Sequence, residues 1–195
     1  QILTILASDD LGENWFKLSE VWKADLVAGD ERLVTPRLSL LSDGRLAVVC
    51  DHNDYGYFHE DQPFGNWIWW SEDDGKTWSD PTVMEVPGFE PDRITECSNG
   101  QLLIATHLMR GDSQEFALIL SGSDDGGETW RVISTVAHDG YYRYCEGALV
   151  HLQDGGIACI MRENHSAGFT CRVAFSEDGG TTWSETSCLP FALHR

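Results

Sequence analysis

The chain has 195 residues, 42% of them hydrophobic, which is enough for a folded domain with its own core, and sets 13 Lys and Arg against 32 Asp and Glu for a formal net charge of −19. That negative excess argues against a phosphate-tracking surface, so nucleic acid is not expected as a partner, and a site for an anionic ligand would need its own cluster of arginines. No stretch reaches the roughly 18 apolar residues of a membrane span and no basic, then apolar, start marks a leader; a soluble protein is expected, cytoplasm favoured over export, although the start at Gln1 leaves the compartment open.

Residues 1–31 contain Ser8-Asp9-Asp10-Leu11-Gly12-Glu13-Asn14-Trp15, a turn between two apolar runs, and predict a pair of strands. Residues 32–87 predict a fuller unit. A strand A runs into the Asp43-Gly44 turn of Leu41-Ser42-Asp43-Gly44-Arg45-Leu46, strand B follows, and after a long loop comes strand C at Trp67-Ile68-Trp69-Trp70. Strand C meets Ser71-Glu72-Asp73-Asp74-Gly75-Lys76-Thr77-Trp78, and strand D closes the unit. The same order returns over residues 88–138, with a turn at Asn99-Gly100, strand C at Phe116-Ala117-Leu118-Ile119-Leu120 and Ser123-Asp124-Asp125-Gly126-Gly127-Glu128-Thr129-Trp130. It returns again over 139–190, with Asp154-Gly155, strand C at Cys171-Arg172-Val173-Ala174-Phe175 and Ser176-Glu177-Asp178-Gly179-Gly180-Thr181-Thr182-Trp183. Residues 191–195 would open one more unit.

The Ser-to-Trp boxes start at residues 8, 71, 123 and 176, intervals close to the roughly 40–50 residues of a propeller blade. Each residue type has a local reason to be there. The Asp accepts turn amides, the Gly takes positive φ, and the Trp buries its ring between neighbouring sheets. Asp-Gly and Asn-Gly between apolar runs are hairpin signals of their own. No segment has helical periodicity, so the expected fold is all-β: a β-propeller of four-stranded antiparallel blades with Asp-box hairpins, about three and a half blades here, with further blades needed to close a ring.

Six cysteines at 50, 97, 145, 159, 171 and 188 have no C-x-x-C or zinc spacing and are expected to be free thiols. The boxes lack the twelfth-position glutamate of an EF-hand. Neither a metal nor an organic cofactor is expected.

If both kinds of turn lie on one face, the opposite face carries the A-strand starts, the B-strand ends and the B–C loops. About nine residues before each turn glycine stand Thr35, Pro91 and Glu146, and two residues further on come Arg37, Arg93 and Ala148. Seven residues after the glycine stand Asp51, His107 and Arg162, with Asp54, Asp92, Glu163 and His165 beside them. Ionisable groups therefore collect where a central pocket would be. Glu146 and Arg162 pair a carboxylate with a guanidinium, which serves ligand binding or merely a structural salt bridge. Tyr141, Tyr142 and Tyr144 suit either stacking on a sugar or the core.

These boxes, and the stretch from Glu146-Gly147-Ala148 through Asp154-Gly155 to Met161-Arg162, resemble the sialidase (neuraminidase) superfamily, a six-bladed Asp-box propeller when complete. The resemblance implies an exo-glycoside hydrolase acting on sialylated or other acidic glycans. In it Glu146 assists a tyrosine nucleophile from a later blade, Arg162 grips the substrate carboxylate as part of an arginine triad, and Asp51 or Asp54 is the general acid. Arg37, Arg93, His107 and Arg195 are candidate binding residues of the same pocket. The family's Arg-Ile-Pro opening is replaced by Val34-Thr35-Pro36, with Arg37 after the proline. Two other readings remain: a non-catalytic propeller that binds glycans or proteins, and a polysaccharide lyase with His107 or a tyrosine as base.

Overall fold

A hairpin of β1 (Ile2–Ala7) and β2 (Phe16–Lys23) precedes three four-stranded antiparallel sheets. The first holds β3 (Leu33–Leu40), β4 (Leu46–His52), β5 (Asn66–Ser71) and β6 (Thr82–Met84). The second holds β7 (Thr95–Glu96), β8 (Leu102–Arg110), β9 (Glu115–Ser123) and β10 (Arg131–Ala137). The third holds β11 (Tyr144–His151), β12 (Ile157–Glu163), β13 (Arg172–Ser176) and β14 (Ser187–Cys188). This computed structural model describes residues 1–29, 32–52, 65–110, 115–164 and 171–190. Among them there is no helix, and so none long and apolar enough to cross a membrane.

The inner strands of the first and second sheets are apolar on both faces because each of these sheets is covered by a neighbour on either side. The core is accordingly divided into layers between neighbours. Val21 of the hairpin packs with Leu33, Val48, Cys50 and Trp69 of the first sheet. Val49, Ile68 and Met84 of the first pack with Ile94, Leu102 and Ile104 of the second. Leu103, Leu118 and Leu120 of the second pack with Tyr144, Leu149, Cys159 and Met161 of the third. Polar staples fix the register of these layers: Ile94 N donates to Ser39 Oγ at 2.8 Å and Leu149 N donates to Asp92 Oδ2 at 3.1 Å, each crossing from one sheet to the next.

The four boxes share one hydrogen-bond scheme. In the first full copy Gly75 N donates to Ser71 Oγ at 2.9 Å, while Thr77 donates its amide to Asp73 Oδ1 at 2.9 Å and its hydroxyl to Asp73 Oδ2 at 2.7 Å. Asn14 replaces the threonine in the earliest copy and makes the same two bonds to Asp10, at 2.8 and 2.6 Å. These donated bonds pull the carboxyls of Asp10, Asp73 and Asp178 down to about 2. The box also anchors one blade on the one before it. Trp183 Nε1 donates to Ser134 Oγ of β10 at 3.0 Å, and Trp78 Nε1 to Ser19 Oγ of β2 at 3.1 Å. The second box glycine lies under its tryptophan with the chain in the left-handed region, φ 89° at Gly180. A Cβ there would stand 2.3 Å from Leu120 Cδ2 of the preceding blade, so only glycine fits.

Candidate active site

At the end of the sheets away from the turns, each A strand opens with a bulge. Pairing of β3 with β4 breaks between Val34 and Arg37, and pairing of β11 with β12 breaks between Cys145 and Ala148. In the middle blade Phe89 bridges His107 before the chain reaches β7. The first residue of each bulge is left-handed although it is not glycine: φ is 50° at Thr35, 49° at Glu90 and 46° at Glu146. Such a conformation costs on the order of 1–3 kcal/mol and persists only where surroundings hold it. A bulge re-aims the side chain it carries, and here two of the three are glutamates.

What holds these residues comes from the neighbouring blade. Glu90 N donates to Asp51 Oδ2 at 3.3 Å, and Glu146 N donates to His107 Nδ1 at 3.5 Å. The acceptor therefore sits at the B-strand end of one blade and the amide at the A-strand start of the next. Asp51 and His107 are both buried, at 3% and 2% exposure, as that supporting role requires. Because His107 Nδ1 accepts, the ring proton is on Nε2, which lies 3.5 Å from Glu90 Oε2. Phe89 and Phe116 flank the ring, with centroids 3.9 and 5.9 Å away. Burial, reinforced by the Arg162 charge, pushes the imidazole down to about 3, so it is neutral at pH 7.

Arg162 occupies the same B-end position in the third blade but a guanidinium can only donate. It gives NH1 to Glu146 Oε2 at 2.6 Å and NH2 to Asn164 Oδ1 at 3.3 Å. Both members of the ion pair keep about a third of their side chains exposed, at 32% and 31%. Glu90 is 32% exposed. Burial, then the charges of Glu146 and Asp51, push its carboxyl above the usual glutamate range, against the pull of Arg162 and Arg37. Arg37 is half-buried, with NH1 3.3 Å from Pro36 O.

The repeat and the blades now decide the family: a BNR repeat-like domain matches residues 3–193. The chain belongs to the BNR repeat-like family. Among solved structures it is similar to a protein of unknown function from Dyadobacter fermentans, at 21% identity over 98% of this chain and 59% of that one, with TM-score 0.79. It is similar to the Hadza microbial sialidase Hz136 at 20% identity, over 93% of this chain and 39% of that one, TM-score 0.72. An α-L-arabinanase from Penicillium chrysogenum, complexed with arabinobiose, shares 22% identity over 80% of this chain and 49% of its own, TM-score 0.65. At such identities the likeness carries the fold. The three sheets are blades of a β-propeller, and the chain spans between 39% and 59% of the length of these structures.

Of the residues singled out in the sequence of this BNR repeat-like chain, the structure gathers Glu146, Arg162, His107, Asp51 and Arg37 around Glu90. Arg93 is exposed and has no ion pair among the described residues; its charge is felt by the neighbouring Asp92. Asp54, His165 and Arg195 lie outside the described residues. The residue that counting from the turn glycine passed over is Glu90, since that count lands on Pro91. Tyr144 belongs to the core: it is 1% exposed and its hydroxyl is engaged by Asp139 and Thr186. Tyr142 stacks beneath Arg172, whose Cζ lies 4.1 Å from the ring centroid, and Tyr141 is 55% exposed.

Among the described residues, cavities also lie away from this group. One of about 930 Å3 opens on the turn face, between Glu96–Gln101 and His151–Ile157, and its Glu96 carboxylate is already held by the Ser42 amide and hydroxyl at 2.7 and 2.6 Å. Another, about 400 Å3, adjoins Asp139, Tyr144, Arg172 and Thr186, which satisfy one another. Neither has the opposed carboxyls and strained backbone found around Glu90. Among the described residues no cluster of three or more His, Cys, Asp and Glu is placed to hold a metal ion.

Proposed function

We propose that this arc forms part of the sugar pocket of a sialidase-like exo-glycoside hydrolase acting on sialylated or other acidic glycans, with Arg162 gripping the ligand's acidic group. The observation that carries the reading is the Glu146–Arg162 pair, 2.6 Å long, at a strained bulge. At the matching positions Asp51 and His107 serve the next blade by accepting its amide, a service a guanidinium cannot perform. Arg162 is instead partly exposed beside a re-aimed glutamate, and its planar fork suits a bidentate carboxylate. That two similar structures are a sialidase and an arabinanase supports a glycan as the ligand.

A polysaccharide lyase using His107 as base is supported less well, because Nδ1 takes the Glu146 amide, Nε2 faces Glu90, and the ring is buried. The test is Arg162→Lys in the full-length protein, which keeps the charge and loses the fork. A sialoside should bind more weakly by at least ~2 kcal/mol, whereas the melting temperature should barely move, because an ion pair this exposed contributes under ~1 kcal/mol to stability. Lost stability with intact affinity would reduce Arg162 to a structural partner of Glu146.

A further inference from the structure

We infer that Glu90 is the general acid of this pocket, the group that protonates the glycosidic oxygen as its bond to the sugar breaks. The inference rests on the hydrolase reading above and adds a residue to it. Three carboxyls meet here, and their surroundings assign them different tasks. Asp51 is buried at 3% exposure and accepts the Glu90 amide, so it is a support that no substrate can reach. Glu146 has Oε2 held by Arg162 at 2.6 Å, so that oxygen is committed to the guanidinium. Glu90 keeps 32% of its side chain exposed, and the partner its carboxyl faces is the Nε2 proton of a neutral histidine, 3.5 Å from Oε2.

Every element packed around Glu90 bears on its proton. Arg37 of β3 and Arg162 of β12 favour loss, Asp51 of β4 and Glu146 of β11 favour retention, and His107 of β8 is uncharged. Burial is the largest influence and the balance is upward. A carboxyl whose titration burial and like charges raise is the one fitted to carry a proton to a leaving group. His107 titrates near 3 and so does not change charge while Glu90 does.

In the step itself the bond from the anomeric carbon to the leaving oxygen breaks and its electron pair goes to that oxygen. The oxygen takes the Glu90 proton and departs as an alcohol, leaving Glu90 ionised. Water then supplies hydroxide to the anomeric carbon, and its second proton returns to Glu90. The Glu146 carboxyl, paired with Arg162, faces the positive charge that develops on the sugar.

Two readouts test this. First, the glutamate carboxyls of the chain are followed by NMR titration: Glu90 should titrate above the ordinary glutamate range and should move down in Glu146→Gln, where a like charge is gone. An ordinary value, or indifference to Glu146→Gln, would overturn the inference. Second, in the full-length protein Glu90→Gln should slow cleavage of a sialoside with a poor alkyl leaving group by roughly 100-fold or more. A sialoside with a nitrophenyl leaving group, which departs without a proton, should be slowed by less than about 10-fold. Equal losses on both would refute the acid role while the hydrolase reading stands. No turnover of either sialoside by the unsubstituted protein would refute the hydrolase reading, and the acid role with it.

Discussion

Gly180 and Gly155 separate backbone strain from blade-to-blade contact. Both are left-handed to the same degree, with φ 89° and 91°. Alanine at either should cost about 1–2 kcal/mol for that conformation alone. At Gly155 there is no further cost, because a new Cβ meets no heavy atom within 4 Å. At Gly180 the Cβ would come to 2.3 Å from Leu120 Cδ2, and Leu120 is fully buried. Relieving that overlap means moving Leu120 against a packed layer, which adds about 1–3 kcal/mol. With roughly 2–4 °C of melting temperature per kcal/mol in a chain this long, Gly180→Ala should melt ~2–12 °C below Gly155→Ala in matched thermal scans. Leu120→Ala should then cost less in the Gly180→Ala background than alone, since the two residues compete for one space. Equal losses at the two glycines, or additive losses with Leu120, would refute the claim that the box seats one blade on the other.

Trp183 and Trp15 occupy the same box position, but Trp183 is half-buried on the core between the second and third blades while Trp15 is 63% exposed. Trp183→Ala should therefore cost about 2–3 kcal/mol and Trp15→Ala under ~1, measured by urea unfolding. The depressed carboxyls of Asp10, Asp73 and Asp178, each near 2 in the fold, contribute stability that is present above the ordinary value of 3.8 and lost as pH falls from there towards 2. A melting temperature that stays level between pH 5 and pH 2 would contradict that linkage. The 195-residue chain alone should hydrolyse a fluorogenic sialoside far more slowly than the full-length protein, and equal rates would mean that the arc holds a complete site.

The blades were legible because their signals are local. An Asp box specifies its own turn through bonds that span four residues, such as Thr129 N to Asp125 Oδ1 at 2.9 Å, and no distant contact is needed to read it. The B-strand ends were equally legible. Strands β4, β8 and β12 run without a break from the turn, so a fixed offset arrives at their ends, at Asp51, His107 and Arg162. The middle A strand defeated the same counting. The middle bulge holds Glu90, Pro91 and Asp92 where its neighbours hold Thr35 and Pro36, or Glu146 and Gly147, and one extra residue shifts the offset from the glutamate to the proline. Nor could the sequence tell that His107 and Asp51 act on the next blade's backbone, since the bonded residues are 39 apart in each case.

That arrangement gives the pocket a direction. Glu90 and Glu146 are each posed by the blade on the N-terminal side, so a blade carries the mould for its successor and not for itself. A copy of the middle blade moved elsewhere in a ring would bring Glu90 but leave behind Asp51, and would impose His107 on whichever residue came next. Duplication of single blades therefore scrambles such a site, whereas duplication of adjacent pairs transmits it. A circular permutant cut between Ala137 and Tyr144 would break no hydrogen bond of the boxes, yet would make the fit of Glu146 to His107 depend on two ends of the chain finding each other.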